Sequence, residues 1–101
     1  MVGEGEEVKK LFTYEEAVAL LPEVRRLTSA AAAEVEQTPE TAEAVVEGWA
    51  EAVMALGIEV KGLWLIDFDN GSGYYCWRHP EPALEYFHGY EEGFRGRVKL
   101  N

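Results

Sequence analysis

The run Leu63-Trp64-Leu65-Ile66-Asp67-Phe68-Asp69-Asn70-Gly71-Ser72-Gly73-Tyr74-Tyr75-Cys76-Trp77-Arg78 decides the fold. Upstream of Gly57 the apolar residues recur at helical spacing; downstream the period changes to two. Residues 63–68 and 74–78 have strand composition. Between them Asp69-Asn70-Gly71-Ser72-Gly73 reads as a turn, with glycines free to take positive φ. His79-Pro80-Glu81-Pro82 forces a second loop, because neither proline can donate to a ladder. Residues 84–88 read as a short third strand, and the glycine-punctuated tail to Gly96 as a loop or single helical turn wrapped over the domain.

Working back toward the N-terminus, Phe12-Thr13-Tyr14-Glu15-Glu16 opens a helix. Thr13 and Glu16 have the spacing of a capping box, with Phe12 at the staple position before it. Ala17, Leu20, Leu21, Val24, Leu27, Ala31 and Val35 continue at helical spacing. Pro22 interrupts them and predicts a kink or restart, since proline removes a helical hydrogen bond. Thr38-Pro39 reads as the cap and first position of a second helix. Its stripe is Ala42, Val45, Val46, Trp49, Val53 and Leu56, and it stops at Gly57. The break between the helices is short enough to make them antiparallel neighbours.

The expected architecture is α+β: an antiparallel two-helix hairpin packed on a small three-stranded antiparallel β-meander. The 101 residues form one domain, with a flexible acidic lead (1–11), the helical hairpin (12–56) and a strand-rich portion with tail (57–101). Placing Phe68 opposite Tyr74, and Arg78 opposite Leu84, sorts the side chains by alternation. One face then carries Trp64, Ile66, Phe68, Tyr74, Cys76, Arg78, Leu84, Tyr86 and His88. The other carries Leu63, Leu65, Asp67, Tyr75, Trp77, Glu85 and Phe87. Both faces are largely apolar in this register. The hairpin can cover one, so the other needs the tail, a ligand or a second copy, and a homodimer is expected.

Composition narrows the function classes. The hydrophobic fraction of 48% argues against disorder. The net charge is −10. Residues 1–56 hold twelve acids against four bases, a net of −8, and residues 57–101 hold seven against five, a net of −2. Such an acidic surface argues against nucleic-acid binding, which needs cations to displace counterions. No apolar run approaches the roughly 18 residues of a membrane span. The first residues lack the basic start and apolar stretch of a signal peptide, and a single cysteine makes no intrachain disulfide. The expectation is a cytoplasmic protein with neither nucleic-acid nor membrane partner.

The chemistry-bearing residues crowd into positions 67–97. Cys76, His79 and His88, with Asp67, Asp69, Glu81 and Glu92, include the ligand types of a metal site, although no Cys-x-x-Cys or His-Glu-x-x-His spacing specifies one. In the expected register Cys76 and His88 share a face. Asp67-Phe68-Asp69-Asn70-Gly71 begins like a calcium loop, but its glycine comes one position early and Arg78 stands where the bidentate acid belongs. Cys76 with His88 has the makings of a nucleophile and base, yet mid-strand among aromatics is a poor setting for a reactive thiol. Arg78, Arg95 and Arg97 suit either an anion or an ion-pair network with Glu81, Glu85, Glu91 and Glu92 that locks the tail to the sheet.

The order of motifs resembles a known family. Phe12-Thr13-Tyr14-Glu15-Glu16-Ala17 and Leu20-Leu21-Pro22-Glu23-Val24 are followed by Gly57-Ile58-Glu59-Val60-Lys61 and Ile66-Asp67-Phe68. Then come Cys76-Trp77-Arg78, Glu81-Pro82, Tyr86-Phe87-His88 and Gly93-Phe94-Arg95-Gly96-Arg97. This is similar to the prokaryotic family termed domain of unknown function 2203. Pro80 and Phe87 depart from the family pattern. The resemblance implies a helical hairpin joined to a small strand-rich portion, and it implies no activity. It singles out Asp67, Cys76, Trp77, Arg78, Glu81, His88, Gly93, Phe94 and Arg97.

Two functions follow as expectations. The first is a non-enzymatic interaction or structural module acting as a homo-oligomer. The second is a small-ligand or metal site, hydrolase-like if catalytic, around Arg78, Glu81, His88 and Arg97, with Asp67 and Cys76 as further ligand candidates. The second requires Arg78, Glu81 and His88 to converge on a water-accessible cleft; the first requires internal bonds to consume them.

Overall fold

The computed structural model describes residues 10–100, so most of the acidic lead lies outside the described residues. Helix α1 spans Tyr14–Gln37 and opens with the expected capping box: the Glu16 amide donates to Thr13 Oγ1, and Glu16 Oε1 accepts from the Thr13 amide. It runs through Pro22 without the expected restart. Proline leaves the Val18 carbonyl without its helical donor, but Val18 and Pro22 are both exposed and water can serve that oxygen. A 3-10 turn, Pro39–Thr41, precedes helix α2, Ala42–Ala55. Thr38 makes no side-chain cap there, so the second helix starts later than the sequence suggests.

The helices meet through a polar bond inside an apolar seam. Thr28 is fully buried; its hydroxyl donates to the Val24 carbonyl at 2.7 Å and accepts from Trp49 Nε1 at 2.8 Å. Donor and acceptor are thereby both satisfied, as burial demands.

The strand-rich portion holds five strands in a single antiparallel meander, not three. They are β1 (Glu59–Gly62), β2 (Leu65–Asp69), β3 (Tyr74–Arg78), β4 (Tyr86–His88) and β5 (Val98–Lys99). The expected first strand, residues 63–68, gives up Leu63 and Trp64 to a turn and runs instead as β2, while β1 is a further strand upstream of that turn. Trp64 takes φ 59°, a left-handed conformation that side chains of its size seldom adopt. Its indole packs edge-on against Trp49 at 4.9 Å, and its carbonyl accepts from the His79 amide at 3.0 Å; these contacts hold the strained residue. The tail contains the expected helical turn, Phe94–Gly96, and then adds β5 to the sheet.

Register is the main correction. The β3–β4 pairing, Tyr74 with His88 and Cys76 with Tyr86, agrees with the expected offset. The β2–β3 pairing is one residue away from it: Phe68 lies opposite Tyr75, and Asp69, not Phe68, lies opposite Tyr74. The cause is the turn. Asn70 closes residues 70–73, its Oδ1 accepting from the Ser72 amide, the Ser72 hydroxyl and the Gly73 amide, while Asp69 Oδ1 accepts from the Gly71 amide at 2.9 Å from its place at the end of β2. Asp69 therefore stays in the ladder. A one-residue slip exchanges every side chain of β2 between faces.

With that exchange the faces differ in kind. Ile66, Phe68 and Trp77, all fully buried, turn toward the helices and join Val24, Val53 and Trp49 in the core. Burying each such side chain contributes about 1.5–3 kcal/mol. The opposite face holds Asp67, Asp69, Tyr74, Cys76 and His88 and is not the largely apolar surface expected. Tyr90 and the tail cover part of it. The Tyr90 hydroxyl donates to Asp69 Oδ1 at 2.7 Å, and its ring meets Tyr74 at 5.1 Å.

Candidate metal and ligand site

The corrected register places Asp67 beside Cys76 across β2 and β3, one pair away from His88 on β4. All three side chains are buried, and their potential ligand atoms lie within 4.8 Å of one another. His88 Nε2 is 3.0 Å from Asp67 Oδ2. The other carboxylate oxygen, Asp67 Oδ1, is buried with no hydrogen-bond partner among the described residues. A polar atom in that position is costly unless something unseen satisfies it.

The histidine geometry is informative. Its Nδ1 is 2.9 Å from the Gly89 carbonyl, an oxygen that can only accept, so Nδ1 carries the proton. In the neutral ring Nε2 then presents a lone pair to a carboxylate oxygen. Two lone pairs at 3.0 Å repel, so a proton or a cation belongs between them. A backbone carbonyl fixing the outer nitrogen while the inner one faces a ligand is the usual arrangement for metal-binding histidine.

Burial pushes the Asp67 carboxyl above its ordinary range, while His88, the neighbouring Cys76 thiol and Lys61 pull the other way. Burial, reinforced by Asp67, pushes the Cys76 thiol up to about 12. Such a thiol is protonated at neutral pH and is no nucleophile unless a cation binds it.

Lys61 joins the site from β1. The β1–β2 register shifts between Val60 and Gly62, and bulges of this kind re-aim side chains. Its ammonium lies 4.2 Å over the Tyr74 ring, 3.2 Å from Glu59 Oε1 and 3.9 Å from Asp67 Oδ2. Lys61, Asp67, Cys76 and His88 border one cavity of about 440 Å³, whose remaining wall includes Tyr90, Glu91, Glu92 and Phe94.

The other candidate residues are placed differently. Glu81 and Arg97 form a bidentate pair at 3.0 and 2.7 Å, and Glu81 Oε1 also accepts from the Arg78 amide. Arg97 is sandwiched by Tyr86 and Phe94, with ring centres at 3.9 and 4.0 Å, and one guanidinium nitrogen is 4.0 Å from Cys76 Sγ. Of the expected ion-pair network the described residues show this one pair, Arg97 with Glu81, which holds the tail to the sheet. The Arg78 side chain is exposed, lies over Phe94 at 5.5 Å, and does not converge with Glu81 and His88 on a cleft. His79 sits against Trp77 in the loop after β3, away from the trio. Lys61 and Tyr90 escape the sequence reading. The alternation Ile58-Glu59-Val60-Lys61 carries the signal for Lys61, but it spans only four residues before the Leu63-Trp64 turn breaks it.

The fold and this face define a small α+β domain whose meander is covered by helices on one side and carries a buried Asp–Cys–His trio on the other. The chain belongs to the family described as "Uncharacterized conserved protein (DUF2203)", which it matches over residues 28–100. No curated protein and no solved structure matches it. No described helix is long and apolar enough to cross a membrane.

Proposed function

We propose that the chain is a small non-enzymatic binding module whose polar sheet face holds a divalent first-row metal ion of the zinc type through Asp67, Cys76 and His88. One observation carries this reading: three buried side chains with oxygen, sulfur and nitrogen donors meet within 4.8 Å, and one carboxylate oxygen there lacks a partner among the described residues. An ion with bonds of about 2.0–2.3 Å to N, O and S sets its donors roughly 3.2–3.6 Å apart. Asp67 and His88 are already near that spacing, at 3.0 Å, and the sulfur closes in by a side-chain movement. A mixed N/O/S set favours zinc or cobalt over magnesium or calcium, which take oxygen. Binding displaces the thiol proton to solvent.

The test is elemental analysis of protein purified without chelator, followed by Co(II) loading of the stripped protein. The expected result is one ion per chain and a sulfur-to-cobalt charge-transfer band that Cys76→Ser abolishes. Absence of both the ion and the band overturns the reading.

A second reading, self-association, is favoured by a different surface. The sheet face that suggested a dimer is polar, but the helix pair leaves an apolar groove of about 530 Å³ bordered by Leu27, Ala31, Val45 and Trp49. A second copy of the chain is the proposed occupant. Light scattering on a sizing column at micromolar concentration checks it, and a strict monomer overturns it.

A further inference from the structure

Resting on the metal reading above, we infer that the ion keeps one exchangeable position facing the cavity, and that its occupant is a small, singly charged anion such as a monocarboxylate, held by Lys61. The chain supplies three donors, whereas closed structural sites of this type use four. Asp67, Cys76 and His88 also border the same 440 Å³ cavity, so the unfilled side of the ion opens onto space large enough for a ligand of several heavy atoms.

Charge selects the ligand. Asp67 and the Cys76 thiolate cancel the two charges of the ion, and His88 in its Nδ1–H form adds none. Lys61 is then the cation at the open position. Its ammonium lies 3.9 Å from Asp67 Oδ2, and its other anionic neighbour is Glu59. Once Asp67 is committed to the metal, the ammonium keeps its nearer pair with Glu59 and can turn another of its three N–H bonds to an incoming anion. Exposed Glu91 and Glu92 lie along the same wall and oppose further negative charge, although Glu92 is partly engaged by the Gly89 amide. One cation and two carboxylates in the lining admit a monoanion and disfavour a dianion such as sulfate or hydrogen phosphate. The Phe94 and Leu65 side chains in the lining suit a short apolar group behind a carboxylate.

The experiment uses the Co(II)-loaded full chain, titrated with azide and acetate and, separately, with sulfate and with phosphate buffered well above its second ionisation, where it is the dianion, while the visible spectrum is followed. Azide and acetate are expected to shift the cobalt bands saturably, and sulfate and phosphate to leave them unchanged. Lys61→Met should keep the metal and weaken monoanion binding about tenfold, the loss of one charge-assisted contact. Glu91→Gln, on an exposed side chain that folding does not need, should relax discrimination against the dianions. Cobalt bands that no anion moves, or dianions that bind as well as monoanions, overturn this inference and leave the metal reading standing. Failure of cobalt to bind at all removes the metal reading itself.

Discussion

Ile66, Phe68, Tyr75 and Trp77 point one way from β2 and β3; Asp67, Asp69, Tyr74 and Cys76 point the other. Neighbours along the same two strands thus build an apolar face and a polar one, and both are buried. The apolar face is packed on the helices, and its energetics are those of an ordinary core. The polar face gathers a carboxylate, a thiol and an imidazole where burial opposes the charge of the first two. One face holds the domain together. The other is maintained against a cost, which is the usual mark of a site.

The strongest way to break this contrast is to truncate one residue on each face. Trp77 is fully buried, and its indole N–H donates to the Glu81 carbonyl. Trp77→Ala is expected to cost near the upper end of about 3–5 kcal/mol. Asp67→Asn keeps shape and removes the buried charge, so metal-free protein should lose less than about 1.5 kcal/mol or even gain stability. Urea denaturation of the two variants in the presence of chelator makes the comparison. An Asp67→Asn loss equal to that of Trp77→Ala would mean that the polar face is structural.

The thiol gives the next largest effect. The folded chain raises Cys76 from an ordinary 9.0 to about 12, so the native state holds its proton more tightly than the unfolded state does. That contribution is fully present below pH 9 and is lost as pH rises toward 12. Over the whole window it amounts to about 4 kcal/mol in the metal-free protein, from roughly 1.4 kcal/mol per unit. Cys76→Ala starts from a lower stability because of the space it leaves, but its stability should fall less steeply over that window. Parallel alkaline profiles for the two proteins would show that the thiol is not held in its protonated form by the fold.

How much of this could be read from the sequence depended on one turn. The capping box at Thr13, the α2 stripe and the shared face of Cys76 and His88 all follow from spacing, because each rests on local periodicity or on the β3–β4 offset. Aspartate is a common turn residue, so composition alone assigns Asp69 to the turn. The turn is instead closed by Asn70, through three hydrogen bonds that no periodicity reveals. That one-residue difference moves Asp67 to the other face and hides the trio from alternation, although Asp67, Cys76 and His88 are each candidates by residue type. β1 was hidden by Trp64, whose left-handed backbone depends on a tertiary contact with Trp49. β5, two residues long, carries too little pattern to be seen.

Gly73 tests whether the register is as tightly set as the site requires. A Cβ at this position would lie 2.5 Å from the Phe87 ring and 2.7 Å from the His88 carbonyl oxygen. Backbone cannot yield as a flexible side chain can, so Gly73→Ala is expected to cost about 1–3 kcal/mol and to displace His88. Cobalt affinity should fall together with stability. A loss of stability with metal binding unchanged would separate His88 from the ion.

The smallest expected effect concerns the clamp. Arg97 is mostly buried between Tyr86 and Phe94 and doubly bonded to Glu81, yet it lies beside the trio and not within it. Arg97→Met preserves the stem between the rings while removing both charged hydrogen bonds, and leaves a partly exposed Glu81 that water can reach. A loss of about 1–2 kcal/mol is expected, below the cost of stranding a fully buried partner. Because the tail supplies one wall of the cavity, loosening it should speed metal exchange while leaving the equilibrium metal content at one ion. Stopped-flow transfer of cobalt to a chelator reads the rate, and elemental analysis reads the content. Faster exchange at full occupancy assigns Arg97 to the cover of the site; a fall in occupancy assigns it to the site itself, and the boundary drawn between clamp and trio would then have to move.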